Sequence, residues 1–388
     1  MKIHYISGSS FPSEVSHTLS KIRMCQAFTE AGHEVLLTGI NADLKKTPNE
    51  FYSLKGDFKI SLQKMSFFLN NYITRKLRIR NLFNGIFQLK KTIQFRPDII
   101  YSRLTVLELF FVPRNIPIIY EMHSLGPFGK GIFYKTLFKI LLRIKNFKRI
   151  IVSSEALKKI LKNHINNIEV VIARLSAEEP VKITKQELER FKLNNLKGAN
   201  FKYHVGYTGY LDTVGLRGTD LICKIASQSP NIAFHIVGGK HEIVEHWVDY
   251  AKDFNHNNNI YFYGHKNPKL IPFFLNLFDV VLAPLQLKPE ARAPLGANMS
   301  PLKIPQYMAY KKAMIVSDLN AHREILEDNK TAFIVNHSNV SKWVEKIRVL
   351  LDSKIMREKM GEACFKEYTE NYTPIGRVKK ILHEININ

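Results

Sequence analysis

Long apolar runs are missing from this sequence. None of its hydrophobic stretches approaches the roughly 20 residues needed to cross a bilayer, and segments such as Leu109–Val112 and Val280–Leu285 are strand-sized. That argues against a spanning helix. The opening residues, Met-Lys-Ile-His-Tyr-Ile-Ser-Gly, carry neither the apolar core nor the small-residue cleavage site of a secretory signal, so a cytoplasmic protein is expected. Cysteine is scarce too. Cys25, Cys223 and Cys364 are odd in number and widely spaced, which fits reduced, packed thiols and offers no metal-ligand spacing; no metal site is expected. The remaining deficit is negative charge: 34 Asp and Glu face 57 Lys and Arg, leaving a net charge of +23. A field of that sign favours anionic partners.

The acids are unevenly missing. Between Lys59 and Arg96 there is none, while Lys59, Lys64, Arg75, Lys76, Arg78, Arg80, Lys90, Lys91 and Arg96 interleave with Phe67, Phe68, Leu69, Tyr72, Leu77, Phe83 and Phe87. A second acid-free run, Lys130 to Arg149, mixes Lys135, Lys139, Arg143, Lys145 and Lys148 with Phe133, Tyr134, Leu137, Phe138, Leu141 and Leu142. Basic amphipathic helices of this composition lie well in an anionic lipid interface, where each Lys or Arg adds about 1 kcal/mol. Peripheral docking on the inner face of the cell membrane is therefore one expectation. A pair of solvated basic helices is the plainer alternative. Nucleic acid ranks last and is not expected as a partner, because no RNA- or DNA-binding motif accompanies the charge.

What is present is the composition of a folded protein, with 45% hydrophobic and 23% charged residues. A chain of 388 residues exceeds the roughly 250 to 300 at which single cores stop growing, so two domains are expected. Lys2–Ser7 reads as a strand running into a turn at Gly8-Ser9-Ser10. A helical pattern through Val15, Leu19, Ile22, Cys25 and Phe28 ends at Gly32, and Glu34–Thr38 resumes as a strand. Further strands are expected at Ile99–Ser102, Ile116–Glu121 and Arg149–Ser153. Ala177–Asn200 reads as a linker with a surface helix. The same grammar then repeats: strand Tyr203–Thr208, helix Thr219–Ser227, strand Ala233–Val237, then Ile260–Tyr263 and Val280–Pro284. The expected fold is α/β, two Rossmann-like doubly wound parallel-sheet domains over residues 1–178 and 200–388, facing an interdomain cleft. A last helix, Pro374–Glu384, could pack on either half.

The most informative segment runs from Ser300 to Asp318, Ser-Pro-Leu-Lys-Ile-Pro-Gln-Tyr-Met-Ala-Tyr-Lys-Lys-Ala-Met-Ile-Val-Ser-Asp. Ser followed by Pro is a helix start, and helix N-terminal amides with Lys303 nearby suit a diphosphate as well as they suit a capped surface helix. Gly8-Ser9 leaves backbone open to close approach, or merely forms a tight turn.

This segment resembles the S-P-L-K-x-x-E-Y-M-A-x-x-K-x-x-x-x-S-D stretch of bacterial family 4 glycosyltransferases of the GT-B fold. The resemblance runs along the chain: Phe11-Pro12-Ser13-Glu14, Gly32-His33-Glu34-Val35, Arg96-Pro97-Asp98 through Arg103, Tyr120-Glu121-Met122-His123, Ile151-Val152-Ser153-Ser154-Glu155 and Ile236-Val237-Gly238-Gly239 stand in the family's order. It implies a retaining, metal-independent hexosyltransferase with no cofactor. The co-substrate would be a nucleotide-sugar, taken as a UDP-sugar, held by the second domain, and the acceptor a lipid-linked or surface-polysaccharide glycan held mainly by the first. Arg217 and Lys303 would grip the diphosphate and His123 would touch the donor sugar, the three forming the implied catalytic set. Gly8, Ser9, Gly209, Gly238, Asn298, Ser300, Leu302 and Gln306 would line the donor site, and Arg103 would face the acceptor.

Departures from the pattern bear on the chemistry. Many members of that family carry two glutamates eight positions apart, and here those positions are Asn298 and Gln306. An amide still hydrogen-bonds a ribose hydroxyl, but both charges are gone. Tyr210 stands where the family often has a second Arg, and Pro305 is expected to kink a helix begun at Pro301. A catalytically silent subunit that binds a partner or glycan is the alternative.

Overall fold

The computed structural model of the chain describes every residue except 14–15, 43–46, 53, 55–56, 65–78, 130, 255, 257, 288–302 and 386–388. Met1–Arg174 with Pro374–Asn388 form one compact unit, and Leu175–Thr373 form another.

In the first unit, seven parallel strands are ordered β3-β2-β1-β4-β5-β6-β7. They are β1 (Lys2–Phe11), β2 (Glu34–Asn41), β3 (Lys59–Gln63), β4 (Ile99–Ser102), β5 (Ile118–Met122), β6 (Phe147–Val152) and β7 (Glu169–Ile172). Every residue of β4 and β5 is buried, as a sheet covered on both faces requires. The order reverses beside β1. Because parallel crossovers are right-handed, the helix Ser16–Glu30 covers one face, and the helices Ile79–Phe95 and Ile132–Ile144 cover the other. The last helix, Pro374–Leu382, belongs to this unit: Val378 and Ile381 share a core with Ile22, Cys25 and Phe28.

Two readings of the sequence change here. Gly8-Ser9-Ser10 is not a turn but the continuation of β1 to Phe11, with the register against β2 slipping between Ile6 and Ser10 as at a β-bulge. Leu109–Val112 is strand-sized but forms no strand: Leu109 closes a short helix, Val106–Leu109, for which Thr105 and Glu108 form the capping box.

The second unit holds six parallel strands ordered β10-β9-β8-β11-β12-β13. These are β8 (Tyr203–Thr208), β9 (Ile232–Val237), β10 (Ile260–Gly264), β11 (Val280–Ala283), β12 (Ala313–Ser317) and β13 (Phe333–Val335). The switch in strand order falls between β8 and β11. The stretch before β8 packs as part of the unit: a Thr184/Glu187 capping box starts the helix Lys185–Asn195, and Phe191 stacks on Phe273 at 4.8 Å. All three cysteines are free and buried, and burial pushes the Cys223 and Cys364 thiols up to about 12.

Candidate functional site

Doubly wound sheets collect ligand-binding side chains at the carboxyl ends of their strands, beside the point where strand order reverses. Each unit has such a cluster.

In the first unit the cluster is built on Glu121, a buried carboxylate near the end of β5. Its Oε1 accepts from His123 Nε2 at 2.6 Å and from Arg377 Nη2 at 2.6 Å. Oε2 accepts from Tyr101 Oη at 2.7 Å, with Arg103 Nε 3.9 Å away. Burial by itself would raise the Glu121 pKa, but Arg377 and Arg103 outweigh it and hold the carboxyl well below its usual range. Burial holds His123 below its usual value, Glu121 opposing and Arg103 reinforcing the shift, so the ring is neutral at pH 7. Since a carboxylate only accepts, Nε2 carries the proton and Nδ1 is left as an acceptor. His123, Glu121, Arg103, Tyr120 and Tyr134 line a cavity of about 250 Å³. Arg377 arrives from the last helix, where Nε also donates to Ala173 O at 3.3 Å.

Gly8 and Ser9 lie on β1 at the edge of this cluster. A Cβ on Gly8 would sit 2.9 Å from Glu108 Oε1, so the missing side chain gives room to a buried acid. Ser9 Oγ and Ser7 Oγ both accept from Lys21 Nζ, the latter at 2.8 Å. Burial, helped by Arg103, brings Lys21 down to about 7 from 10.5. Between these two values the unfolded chain binds the extra proton, so this residue makes stability rise with pH over that window. Lys21→Met is expected to flatten that rise in unfolding curves recorded from about pH 7 to pH 10; a slope unchanged by the substitution would assign it to other groups.

The second unit's cluster forms where the turns after β8, β9 and β11 meet. A Cβ on Gly238 would collide with Gly209 O, and one on Gly218 with Pro284 O, so these backbones touch only because the side chains are absent. Both residues also have positive φ, 134° and 76°. Asp212 then braces the next loop: its carboxylate accepts from the amides of Val214 (3.1 Å), Leu216 (2.9 Å) and Arg217 (3.2 Å). Arg217 Nε stands 3.9 Å from Asp212 Oδ2, and its guanidinium lies 5.7 Å from the Tyr210 ring centroid. Tyr210 thus carries Arg217 on its face. The helix Thr219–Ser227 starts directly after Gly218 with no side-chain cap, and Thr219 Oγ1 is buried without a hydrogen-bond partner among the described residues.

Lys303 enters this cluster from the helix Lys303–Ala309, with Nζ 3.6 Å from the Tyr207 ring centroid and 3.3 Å from where a Cβ on Gly209 would be. Burial first, and Arg217 second, push its pKa well below the usual lysine value. Among the described residues no carboxylate pairs with it. Gln306 follows one turn later on the same helix. Pro305 sits inside that helix; the acceptor its missing amide would have met, residue 301, lies outside the described residues, so the expected kink has no observation behind it. Asn298, Ser300 and Leu302 also lie outside the described residues.

The structure therefore gathers His123 with Arg103 in one unit, and Arg217, Lys303, Gly209 and Gly238 in the other. Sequence reasoning missed Glu121, Arg377 and Lys21 in the first and Asp212 and Tyr207 in the second. Glu121 was within reach, since an acid two residues before a histidine on a buried strand demands a partner.

Residues 217–367 match the family model described as Glycosyl transferases group 1, a span that begins on Arg217 and includes Lys303. No curated protein matches the chain. Among solved structures, a glycosyltransferase from Rickettsia africae ESF-5 is similar, with 15% identity, TM-score 0.73 and 99% of each chain covered. Anabaena Alr3699/HepE, solved in complex with UDP, has 14% identity and TM-score 0.72, with 98% of each chain covered. A mutant of S. aureus TarM, solved with fondaparinux, alpha-GlcNAc-glycerol and UDP, has 11% identity and TM-score 0.69, with 98% of this chain and 99% of that one covered. The two-sheet architecture is that of GT-B glycosyltransferase structures.

Proposed function

We propose that this chain is a retaining, metal-independent glycosyltransferase that moves a hexose from a nucleotide diphosphate sugar to a lipid-linked or surface-polysaccharide acceptor at the cytoplasmic face of the membrane. The observation that carries the reading is Lys303, half-buried beside Arg217 with no carboxylate among the described residues to balance it. Two neighbouring cations, one of them desolvated by burial, oppose each other until an anion arrives, so a diphosphate is the ligand that such a site stabilises. Breaking the sugar–phosphate bond gathers negative charge on that diphosphate. Fixed cations lower the barrier to the extent that they meet this charge as it forms. Support for UDP as the nucleotide comes from the UDP complexes of Anabaena Alr3699/HepE and of the S. aureus TarM mutant.

His123 orients the donor sugar in this reading. Its Nδ1 accepts a hydroxyl proton while Glu121 holds the ring by Nε2. His123→Ala is expected to lower turnover about 10²-fold while changing nucleotide affinity little; steady-state kinetics with a matched donor, beside calorimetric titration of the nucleoside diphosphate, separate the two. An unaltered kcat would make His123 a structural residue.

The loss of carboxylates at Asn298 and Gln306 favours the second reading, a silent subunit that binds a partner or glycan. Incubation with a panel of nucleotide-sugars and glycan acceptors decides between them: an enzyme releases nucleoside diphosphate with at least one donor, and a silent subunit with none.

A further inference from the structure

The helix Ile79–Phe95 is built inside out. Its buried residues are Asn84, Gly85, Gln88 and Thr92, whereas Leu82, Phe83, Ile86 and Ile93 face solvent, Ile93 at 62% of its full exposure. A helix covering a sheet ordinarily does the reverse. The inward polar groups are partnered: Asn84 Nδ2 donates to Glu108, Gln88 Nε2 donates to Asn84 Oδ1 at 3.1 Å, and Thr92 Oγ1 bonds His4 Nδ1 at 3.0 Å. This network fixes the helix's rotation and commits its apolar stripe to the outside.

The outward face continues onto a second helix. At Gly85 the Phe111 ring packs directly on the helix, in the space a Cβ there would need. Lys145 Nζ donates to Phe110 O at 2.8 Å, which ties the same turn to the end of Ile132–Ile144. That helix exposes Ile132 at 84% and Phe133 at 67%, with Ile140, Lys139 and Arg143 also exposed. Neither helix contains an acidic residue.

We propose that this face of the first unit docks on an anionic lipid bilayer, its apolar side chains entering the headgroup boundary and Lys90, Lys139 and Arg143 meeting the headgroups. Exposed apolar surface of this kind marks an interaction site, and its charge selects the occupant. A second copy placed by two-fold symmetry would bring these cations against their own equivalents, with no acid on either helix to offset them. Nucleic acid would satisfy the cations and leave Ile132, Phe133 and Ile93 in water. A bilayer offers both an apolar boundary and negative charge. Docking gives the lipid-linked acceptor reading its geometry, and it rests on that reading only for its purpose.

The test is flotation of the full chain with phosphatidylcholine vesicles, with and without about 30% phosphatidylglycerol, at about 0.1 M and 1 M salt. Binding is expected to the anionic vesicles and to fall with salt. Ile93→Glu and the double variant Ile132→Glu/Phe133→Glu change exposed positions only, and each should weaken partitioning at least about ten-fold with an unaltered melting temperature. A chain that ignores anionic vesicles at low salt, or variants that bind as well as the parent, would overturn the proposal. So would light scattering that shows a dimer dissociated by Ile132→Glu/Phe133→Glu, which would give the face to a second copy. Vesicle binding without turnover on any donor would leave docking standing and remove the enzyme reading; turnover without vesicle binding would do the opposite.

Discussion

Lys303→Ala is expected to lower turnover about 10²–10³-fold, and Arg217→Ala by a similar factor, with both units still folded. The size follows from where the charges sit. Lys303 Nζ is held on the Tyr207 ring at 3.6 Å and Arg217 by Asp212 and Tyr210, so neither has to be ordered when charge develops on the leaving diphosphate. Both residues act on one group, so the double variant should be less impaired than the product of the single losses. A second signature comes from the proton on Lys303. Burial and Arg217 hold its pKa down and a diphosphate raises it, so binding should take up a proton and affinity should weaken as pH rises. Calorimetry in buffers of different ionisation enthalpy measures that uptake, and release of nucleoside diphosphate measures turnover. Near-normal rates in both single variants would remove the diphosphate assignment.

Much of this arrangement was legible because parallel sheets write plainly. Ile99–Ser102 and Tyr203–Thr208 are short apolar runs buried on both faces, and they form strands with the expected limits. Edge strands carry a weaker signal. Lys59–Gln63 and Glu169–Ile172 close the two sides of the first sheet, each with partly solvated residues, and Phe333–Val335 is only 3 residues long. In the site, Lys303 and Arg217 could be picked out because each stands in a local motif. Asp212 could not, since its role is to collect three amides from a loop whose shape is not written in residue types. Arg377 was the least readable of all. It lies 256 positions from the carboxylate it serves, and only the return of the last helix onto Ser16–Glu30 brings the two together. The inside-out helix was half visible. Its basic, apolar composition could be read, but the burial of Asn84, Gln88 and Thr92 depends on Glu108 and His4 waiting beneath them.

Glu121→Ala is expected to destabilise the first unit by about 3–5 kcal/mol, because it leaves Arg377 charged, buried and without its carboxylate. The attraction between the two is not itself the measure of that loss. Both charges were taken out of water to make the pair, so replacing both, as in Glu121→Leu/Arg377→Met, should recover much of what the single change costs. Acid carries the same information. The Glu121 carboxyl titrates below its unfolded value, so its stabilisation is complete above the ordinary carboxylate range and fades as pH falls toward the depressed folded value. Glu121→Gln keeps the shape, removes the proton linkage, and should flatten the acid limb of the stability curve. Hydrogen exchange resolved on first-unit peptides is the suitable measurement, since a chain of two units need not unfold in one step. Glu121→Gln with full stability and unchanged His123 titration would show that the carboxylate neither anchors the last helix nor sets the histidine. In that event an amide oxygen at position 121, with Ala173 and Met24, would be enough to hold Arg377, and the charge on the carboxylate would be incidental to the tie between the end of the chain and the first unit's site.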